Sequence, residues 1–477
     1  MNKLYITTAI PYVNARPHVG FALELVQADV IARFRRLLGW NVRFQTGTDE
    51  NATKNVFAAE EQGLPTEALV NQNAAVFRNL VAALDVSADE FIRTTEARHR
   101  LGVEALWGRL RIDDVYRADY RGLYCVGCED FISERDLVGG ICPDHATKPA
   151  EVSESNYFFR LSAYQDHIED LVASGKLAIV PEVRRNEVLS FIRRGLADIS
   201  ISRPVVRARG WGIRVPGDPD HIVYVWIDAL VNYVSGLGFG SCSEWSDWWQ
   251  PGVEKLHVIG KNVWKFHAIY WPALLLSAGL PLPNKLVVHG FVTVDGQKVG
   301  KSLGNAIDPF DYISSFGCDA VRYYLLRSIP TLGDGDFSAE RFRQLYNTDL
   351  ANGLGNLASR IISLCTRARF VPQFPGAAPD APAGYLDAIA ELNFDKALGT
   401  LWALVTDLNR EIDQVKPWEL LDSAAAALLP EHLARWCRSL WRVSYWLQPF
   451  LPPTAARLHH RLLQPAAHLG ERLFPRV

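Results

Sequence analysis

The chain has 477 residues, of which 48% are hydrophobic, and its formal net charge is −3 at pH 7. This length is too great for one hydrophobic core, so the composition predicts a globular protein of two or three domains and gives no overall signal for nucleic-acid binding. Residues 341–477 alone hold 15 Lys and Arg against 12 Asp and Glu, which weakly indicates a polyanionic partner at that end.

The apolar segments exclude a transmembrane protein. The longest strongly apolar run, AIYWPALLLSAGLPLP at 268–283, is interrupted by prolines and falls short of the roughly 20 residues that span a bilayer. We predict a buried helix followed by a turn there. The N-terminal MNKLYITTAIPYV has no apolar region of signal-peptide length. We therefore expect a cytoplasmic protein without a membrane partner.

The first residues predict the strand LYITTAI, the loop PYVNARPHVG, the helix FALELVQADVIARFRRLLG and the strand NVRFQTG. A strand, a crossover helix and a second strand predict an α/β doubly wound, Rossmann-like parallel sheet, which binds ligands at the carboxyl ends of its strands. Residues 1–114 are expected to form its first half. Residues 115–185 are expected to form an insertion, because turns and a cysteine cluster interrupt the pattern.

The second half of this sheet is expected in residues 186–340, with strands near 222–226 (IVYVW), 256–259 (LHVI) and 286–294 (LVVHGFVTV). Beyond residue 340 the alternation typical of strands gives way to helical periodicity. The sequence therefore predicts an all-α bundle over 341–477.

The cysteine cluster has the pattern C-x2-C-x13-C-x2-H, formed by Cys125, Cys128, Cys142 and His145. Clustered thiols in a cytosolic chain favour a metal over disulfides. Two short-spaced ligand pairs predict a closed tetrahedral knuckle that holds a structural Zn²⁺. The alternative is three unlinked thiols, which this spacing disfavours.

Two further patterns are typical of phosphate binding. His18 and Gly20 lie at the start of the first helix, where a helix N-terminus favours anions. Lys298 and Lys301 lie in KVGKS, after a predicted hairpin. Taken singly, a capping histidine and a solvated hairpin end are the simpler interpretations. Together, one histidine and two lysines would neutralise the charge that moves in an adenylyl transfer.

HVGF and KVGKS on a split doubly wound sheet resemble the HIGH and KMSKS signatures of class I aminoacyl-tRNA synthetases. The segments AIPYVNARPHVG, TGTDEN, GLYCVGCEDF, YVWIDALVNYV, HVIGKNVWKFH, GNLASR and KPW are similar to those of the methionyl-tRNA synthetase family. The match follows the chain in order over essentially its whole length. It implies that ATP with Mg²⁺ activates L-methionine, and that methionine is then transferred to tRNA(Met) with release of AMP and pyrophosphate.

The resemblance also implies residue roles. The amino-acid pocket would comprise Ile10, Tyr12, Asp49, Trp226, Ala229, Tyr233, Phe266 and His267. ATP would be bound by His18, Gly20, Glu24, Lys298, Lys301 and Ser302. The anticodon would be read by the helical bundle through Asn356, Arg360 and Trp418. The single set of four ligands in the insertion implies one zinc ion.

Three segments depart from the family signatures on the ATP side. Phe21 replaces the second histidine of HIGH, Val299 and Gly300 replace Met and Ser of KMSKS, and DENA at 49–52 replaces DEHG. Phe21 cannot donate a hydrogen bond to phosphate, and Gly300 makes its loop more flexible. His18, Lys298 and Lys301 remain, so we expect activation to persist at a lower rate.

Two alternatives remain open at this point. The first is a synthetase-like ligase that adenylates an amino acid and esterifies a small hydroxylated metabolite, as in hydrazine biosynthesis; the altered signatures favour it, and the anticodon residues oppose it. The second is an RNA-binding module with a vestigial site. A monomer is expected, because no further domain follows LFPRV.

Overall fold

The computed structural model describes residues 2–125, 129–132, 134, 137–143, 147–299, 305–421, 427–468 and 472–475. The chain divides into two compact units and alternates between them. The first unit comprises Met1–Pro17, Gly39–Leu80 and Ala88–His289. The second unit comprises His18–Leu38, Val81–Ser87 and Gly290–Val477.

The first unit is built around a six-stranded sheet in which every neighbouring pair of strands is parallel. Across the sheet the order of strands is Glu90–Arg93, Asn41–Thr48, Lys3–Thr8, Glu254–Gly260, Lys285–His289 and Ala178–Val180. Chain order reverses beside Lys3–Thr8, so the crevice at its carboxyl end is the place where a doubly wound sheet binds ligands. The prediction of a parallel Rossmann-like sheet is confirmed.

The core of the first unit lies on the sheet and on the helices beside it. Strand Lys3–Thr8 is buried over its last five residues, as expected for a parallel strand that is covered on both faces. The helices and helical turns that begin in this unit are Thr53–Glu61, Thr66–Ala83, Ala97–Arg109, Ile112–Asp114, Leu161–Tyr164, Gln165–Ala173, Glu182–Arg193, Val225–Leu230, Asn232–Ser235, Glu244–Asp247, the π-helical Phe266–Tyr270 and Trp271–Ser277.

The chain after residue 114 forms a long antiparallel hairpin of Val115–Cys125 and Ala150–Phe159. Asp130–Ile132 and Ile199–Ser200 extend it to four strands. A second antiparallel sheet contains Arg214–Val215, Asp218–Val223 and Ser202–Pro204. Both small sheets belong to the first unit.

The predicted strand at 222–226 is wrong in two respects. The observed strand is Asp218–Val223, it is antiparallel, and a helix begins directly after it at Val225. The predicted strand at 286–294 is also divided, into Lys285–His289 of the large sheet and Val292–Val294 of a small sheet in the second unit. Val223, Val225 and Ile227 are all buried, and a short apolar run that is buried on all sides does not distinguish strand from helix.

The second unit is mainly helical. Its helices are Val19–Leu37, Pro309–Phe316, Cys318–Ser328, Ala339–Leu345, the π-helical Tyr346–Gly355, Asn356–Arg367, Tyr385–Ala390, Phe394–Val415, Pro417–Leu420, Leu429–Leu447, Pro452–Leu463 and the short turn Pro465–His468. One small sheet joins Gln297–Lys298, Val292–Val294 and Gly335–Asp336. The described part of 341–475 contains helices and no strand, which confirms the predicted helical C-terminal region.

A buried ion pair holds the second unit together. Arg322 Nη2 lies 2.7 Å from Asp29 Oδ2, and both side chains are fully buried. The same guanidinium donates to the carbonyl oxygens of Leu84, Pro449 and Phe450 at 2.7 to 3.1 Å. One side chain therefore ties the first helix to the C-terminal helices. Over the part of the chain that the structure describes, no helix combines the length and the apolar character that crossing a membrane requires.

Candidate active site

The loop after strand Lys3–Thr8 continues the sheet beside Asp49. Tyr12 and Asp49 form a parallel bridge, and the Asp49 N–H donates to Pro11 O at 2.8 Å. Asn73 Nδ2 supports the same loop by donating to Val13 O at 2.6 Å. The half-buried Ile10 and Tyr12 therefore lie at the carboxyl edge of the sheet, together with the buried Asp49.

Three aromatic rings form a wall beside this loop. The Trp226 ring stacks on Phe266 with centroids 3.8 Å apart and an interplanar angle of 6°. Tyr12 contacts Trp226 edge to face at 5.9 Å. Ala229 lies three residues after Trp226, on the same face of helix Val225–Leu230. An unbranched apolar side chain, and a polarisable sulfur in particular, packs well against such rings.

The adjoining polar pair is electrically neutral. His267 Nδ1 lies 2.9 Å from Val263 O, so it carries the ring proton and donates it to that carbonyl. His267 Nε2 therefore accepts from the Tyr233 hydroxyl at 2.6 Å. Burial lowers the pKa of His267 to about 4, which keeps the imidazole uncharged at neutral pH. The pair offers a phenolic oxygen without placing a cation in the apolar pocket.

A second buried histidine lies behind this pair. The His257 ring packs at 4.1 Å from the Tyr233 ring, and His257 Nδ1 lies 2.7 Å from Thr7 Oγ1. Burial and the neighbouring His267 and Lys255 lower the pKa of His257 well below its usual value. The pocket is therefore backed by uncharged groups.

Asp49 is the negative group of the pocket and is only 1% exposed. Burial raises the pKa of its carboxyl well above the usual value, and the charges of Asp228 and Glu129 raise it further. The Asn51 N–H donates to Asp49 Oδ1 at 3.3 Å. An ionised carboxylate under these conditions gains most from a ligand cation, such as the α-ammonium group of an amino acid.

Glu129 connects the antiparallel insertion to the start of helix Thr53–Glu61, shortly after Asp49. Its carboxylate accepts from the N–H of Lys54 at 3.0 Å, in the first turn of helix Thr53–Glu61. Burial raises the pKa of Glu129 to about 7. The Tyr224 hydroxyl donates to the Glu129 carbonyl at 2.7 Å. This contact joins the insertion to the residue that precedes the helix of Trp226.

In the second unit, His18 caps the first helix. His18 Nδ1 accepts from the Gly20 N–H at 3.1 Å, so the proton of the neutral ring lies on Nε2. A Cβ atom on Gly20 would lie 2.8 Å from His18 Cε1. A side chain at position 20 would therefore force the His18 ring to move. Phe21 and Glu24 of the same helix are buried, and Phe21 is part of the apolar core.

The segment that leads into the second signature, KVGKS, lies in the same unit. Val292–Val294 and Gln297–Lys298 form a tight hairpin whose turn residues, Asp295 and Gly296, both have positive φ. Strand Val292–Val294 contacts the first helix, and the Val19 N–H donates to Ile307 O at 3.1 Å. Segments nearly 300 residues apart are thus neighbours. The side chain of Lys298 lies outside the described residues, as do Lys301 and Ser302.

Two of the predicted anticodon residues contact each other. Arg360 Nη2 donates to Asp413 Oδ1 at 2.6 Å, and its guanidinium lies 5.5 Å from the centre of the Trp418 ring. The Trp418 side chain is 43% exposed, unusually open for tryptophan. Asn356 is exposed one turn before Arg360 on helix Asn356–Arg367. These residues present an open aromatic face beside a cation.

The predicted zinc ligands are described in part. Cys125 and Cys142 are both buried, the Cys142 N–H donates to Thr147 O at 2.9 Å, and Cys125 Sγ lies 3.8 Å from Thr147 Oγ1. Cys125, through its thiol, and Cys142, through its backbone, thus both contact Thr147. Cys128 and His145 lie outside the described residues. Within the described residues, no group of three or more His, Cys, Asp or Glu could hold a metal ion.

Sequence reasoning missed four polar residues that support the pocket: Asn51, His99, Glu129 and Asp228. Asp228 accepts from Asn51 Nδ2 at 2.7 Å and lies 2.6 Å from His99 Nε2. The available signal was a single charged residue inside the apolar run YVWIDALVNYV, because a buried carboxylate requires partners.

Comparison with known proteins places this site in a family. The family model described as tRNA synthetases class I (M) matches residues 4–153 and 145–362. A methionine–tRNA ligase of Brucella suis is 40% identical over 484 residues, which cover 97% of this chain and 92% of the relative. A methionine–tRNA ligase of Mycobacterium tuberculosis is 41% identical over 503 residues, with 100% and 96% coverage.

The solved structures agree with these relatives. The structure of Mycobacterium tuberculosis methionyl-tRNA synthetase in complex with methionyl-adenylate has a TM-score of 0.88 and 39% sequence identity, and the match covers 100% of this chain and 98% of that one. The two signature segments, the aromatic pocket and similarity along the whole chain lead to one conclusion: the chain belongs to the methionine–tRNA ligase family of class I aminoacyl-tRNA synthetases.

Proposed function

We propose that this protein activates L-methionine with ATP and transfers the methionyl group to tRNA(Met), with release of pyrophosphate and AMP. The observation that carries the proposal is the aromatic pocket with the buried carboxylate of Asp49 beside it at the carboxyl edge of the sheet. Methionine matches it with an apolar thioether at one end and an α-ammonium group at the other. Membership of the methionine–tRNA ligase family supports the same reading.

In this proposal Asp49 pairs with the α-ammonium group. The thioether packs among Ile10, Tyr12, Trp226 and Phe266, and Ala229 leaves space for it. The Tyr233 ring, whose hydroxyl proton is donated to His267, gives the polarisable sulfur a further aromatic contact. Because His267 is uncharged, the pocket favours a neutral side chain over a lysine or an arginine of similar length.

On the ATP side, His18 would donate from Nε2 to a phosphate, while Gly20 keeps the ring in place. Lys298, Lys301, Ser302 and Glu24 complete the proposed ATP site, and Mg²⁺ would accompany the phosphates. A carboxylate oxygen of methionine attacks the α-phosphorus, and the bond to the pyrophosphate oxygen breaks. No protein nucleophile is needed, because positioning and charge stabilisation suffice.

For tRNA, we propose that Trp418 stacks on an unstacked anticodon base while Asn356 and Arg360 contact base edges. The exposed Trp418 ring and the guanidinium beside it support this role. The competing small-metabolite ligase is not favoured, because such an enzyme has no use for an anticodon site and the curated relatives compared are methionine–tRNA ligases.

The remaining assignments are also proposals. We propose that Cys125, Cys128, Cys142 and His145 bind one structural Zn²⁺, which one zinc per purified chain and its loss in Cys142→Ser would test. Functionally, residues 1–114 and 186–340 would form the catalytic domain, 115–185 the knuckle insertion and 341–477 the anticodon-binding domain. The monomeric state and the cytoplasmic location stay predictions.

The function is tested by methionine-dependent exchange of pyrophosphate into ATP, followed by charging of tRNA. The proposal requires both reactions. Exchange without charging would instead support the small-metabolite ligase.

A further inference from the structure

Asn51 donates hydrogen bonds to two buried carboxylates at once. Its backbone N–H reaches Asp49 Oδ1 at 3.3 Å, and its side-chain Nδ2 reaches Asp228 Oδ2 at 2.7 Å. Nδ2 also donates to Thr94 O at 3.1 Å, so both amide hydrogens have acceptors. Asp49 and Asp228 are 1% and 0% exposed, so water does not replace these donors. One residue thereby sets the spacing of two negative groups.

Asp228 links Asn51 to the helix that carries Trp226 of the aromatic wall. It lies on helix Val225–Leu230, between Trp226 and Ala229. His99 Nε2 lies 2.6 Å from Asp228 Oδ1, and His99 Nδ1 lies 2.8 Å from Ser235 Oγ. The carboxylate is thus held by Asn51 through one oxygen and by His99 through the other. A helix fixed in this way is hindered from rotating about its axis.

The residue type matters at this position. The related family signature reads DEHG, and this chain has Asn51 in place of the histidine. One amide nitrogen carries two N–H groups and serves Asp228 and Thr94 from a single atom. A neutral imidazole carries a single N–H, on one of its two nitrogens, and cannot donate to both acceptors. Asn51 therefore joins Asp228 and the Thr94 carbonyl in a way that a neutral histidine could not.

We propose that Asn51 is a positioning residue that fixes the distance between the Asp49 carboxylate and the helix carrying Trp226 and Ala229. This inference rests on the proposed function, in which Asp49 pairs with the ammonium end of methionine and Trp226 packs on the thioether end. Asn51 acts through Asp49 and Asp228 and need not touch the substrate. Its loss misaligns the two ends of the methionine pocket without touching the ATP residues.

The test compares Asn51→Ala and Asn51→Ser with the full-length wild-type chain. Neither variant can reach Asp228, so the KM for methionine in pyrophosphate exchange rises about tenfold, the equivalent of one hydrogen bond to a charged group. The KM for ATP stays within about twofold of wild type. Asn51→His restores most of the methionine affinity, because one N–H can still reach Asp228.

The matched control is Asn156→Ala. Asn156 is a fully buried asparagine whose Nδ2 donates to Glu154 Oε2 at 3.1 Å, and it lies in strand Ala150–Phe159. The control removes the same kind of hydrogen bond without contacting Asp49 or Asp228. We expect its methionine and ATP KM values to match wild type.

Titration calorimetry with L-methionine and no ATP separates this inference from the proposed function. A wild-type chain that binds methionine but shows no exchange would overturn the proposed function. In that case a weaker methionine Kd in both Asn51→Ala and Asn51→Ser would still support the positioning role of Asn51. An unchanged Kd in Asn51→Ser overturns the inference. Equal rises in the methionine and ATP KM values, or the same effect in Asn156→Ala, would overturn it as well.

Discussion

The contact between His18 and Gly20 gives a structural reason for glycine at position 20. From the sequence alone, the only reason is that glycine lets a phosphate approach the backbone. The imidazole occupies the space that a side chain at position 20 would need, since a Cβ would lie 2.8 Å from Cε1. In return, His18 Nδ1 satisfies the Gly20 N–H, one of the free donors at a helix start. The ring is held with Nε2 as its donor.

Gly20→Ala is therefore expected to displace the His18 ring. We predict that the rate of methionine-dependent pyrophosphate exchange falls about 100-fold, the scale of a misplacement near 1 Å in an active site. Methionine affinity without ATP should stay unchanged, as should the thermal midpoint. Gly108→Ala is the control, because a Cβ there meets nothing within 4 Å. A normal exchange rate in Gly20→Ala would contradict the assigned role of His18.

Asp49 is expected to lower the stability of the fold while it provides the binding site for the α-ammonium group of methionine. Its pKa in the folded chain lies well above the ordinary 3.8, so its ionised form opposes folding above that pH. Asp49→Asn removes this penalty, and we predict a stability gain of at least about 1 kcal/mol near pH 7 together with loss of methionine binding. The gain should shrink as the pH falls towards 4, because wild-type Asp49 is then protonated too. Denaturant melts at pH 7 and pH 4.5 measure the stability gain and its decrease at low pH. A loss of stability at pH 7 would contradict the raised pKa of Asp49.

At the scale of elements, the first helix and the helices of the second unit depend on the Arg322 pair with Asp29. Burial alone would raise the pKa of Asp29, but Arg322, Arg33 and the Ser87 donors lower it below its usual value. The pair therefore stabilises the fold above about pH 4. Its contribution is lost as the pH falls through the lowered pKa of Asp29.

Arg322→Ala leaves Asp29 buried without its main partner. We predict a loss of about 3 to 5 kcal/mol in the free energy of unfolding at pH 7, measured by denaturant titration. Arg410→Ala removes an exposed pair with Asp407 and should cost no more than about 1 kcal/mol. Similar losses of unfolding free energy in the two variants would show that the buried pair stabilises the fold no more than an exposed one.

The elements that the sequence predicts well have either a clear hydrophobic periodicity or characteristic turn residues. The helix that begins at Val19 and the hairpin around Asp295 and Gly296 follow from helical spacing and turn chemistry. The helix that begins at Val225 was missed because burial on all sides removes any period. The link from Asn51 to Asp228 joins residues 177 positions apart, and no local pattern carries that information.

At the scale of the whole molecule, the functions are distributed between the two units. The proposed methionine pocket belongs to the first unit, and the His18 segment, the lysine hairpin and the Trp418 surface belong to the second. Only the fold accounts for the contact of the first helix with strand Val292–Val294.

Trp418→Ala separates tRNA recognition from activation. Loss of base stacking is expected to lower kcat/KM for tRNA charging about tenfold or more, while pyrophosphate exchange stays at the wild-type rate. The ring is 43% exposed, so stability should change little. Val371→Ala, at another exposed apolar site of the second unit, is the control. An equal fall in exchange and charging would exclude a role confined to the anticodon.

The central claim is that this chain activates methionine and charges tRNA despite Phe21 and Gly300 in its signatures. It is tested most directly by measuring pyrophosphate exchange with each of the twenty amino acids, followed by charging of total tRNA in the same samples. We expect exchange with methionine above all other amino acids and formation of methionyl-tRNA. Exchange with methionine but no charged tRNA, or exchange that prefers another amino acid, would contradict the claim.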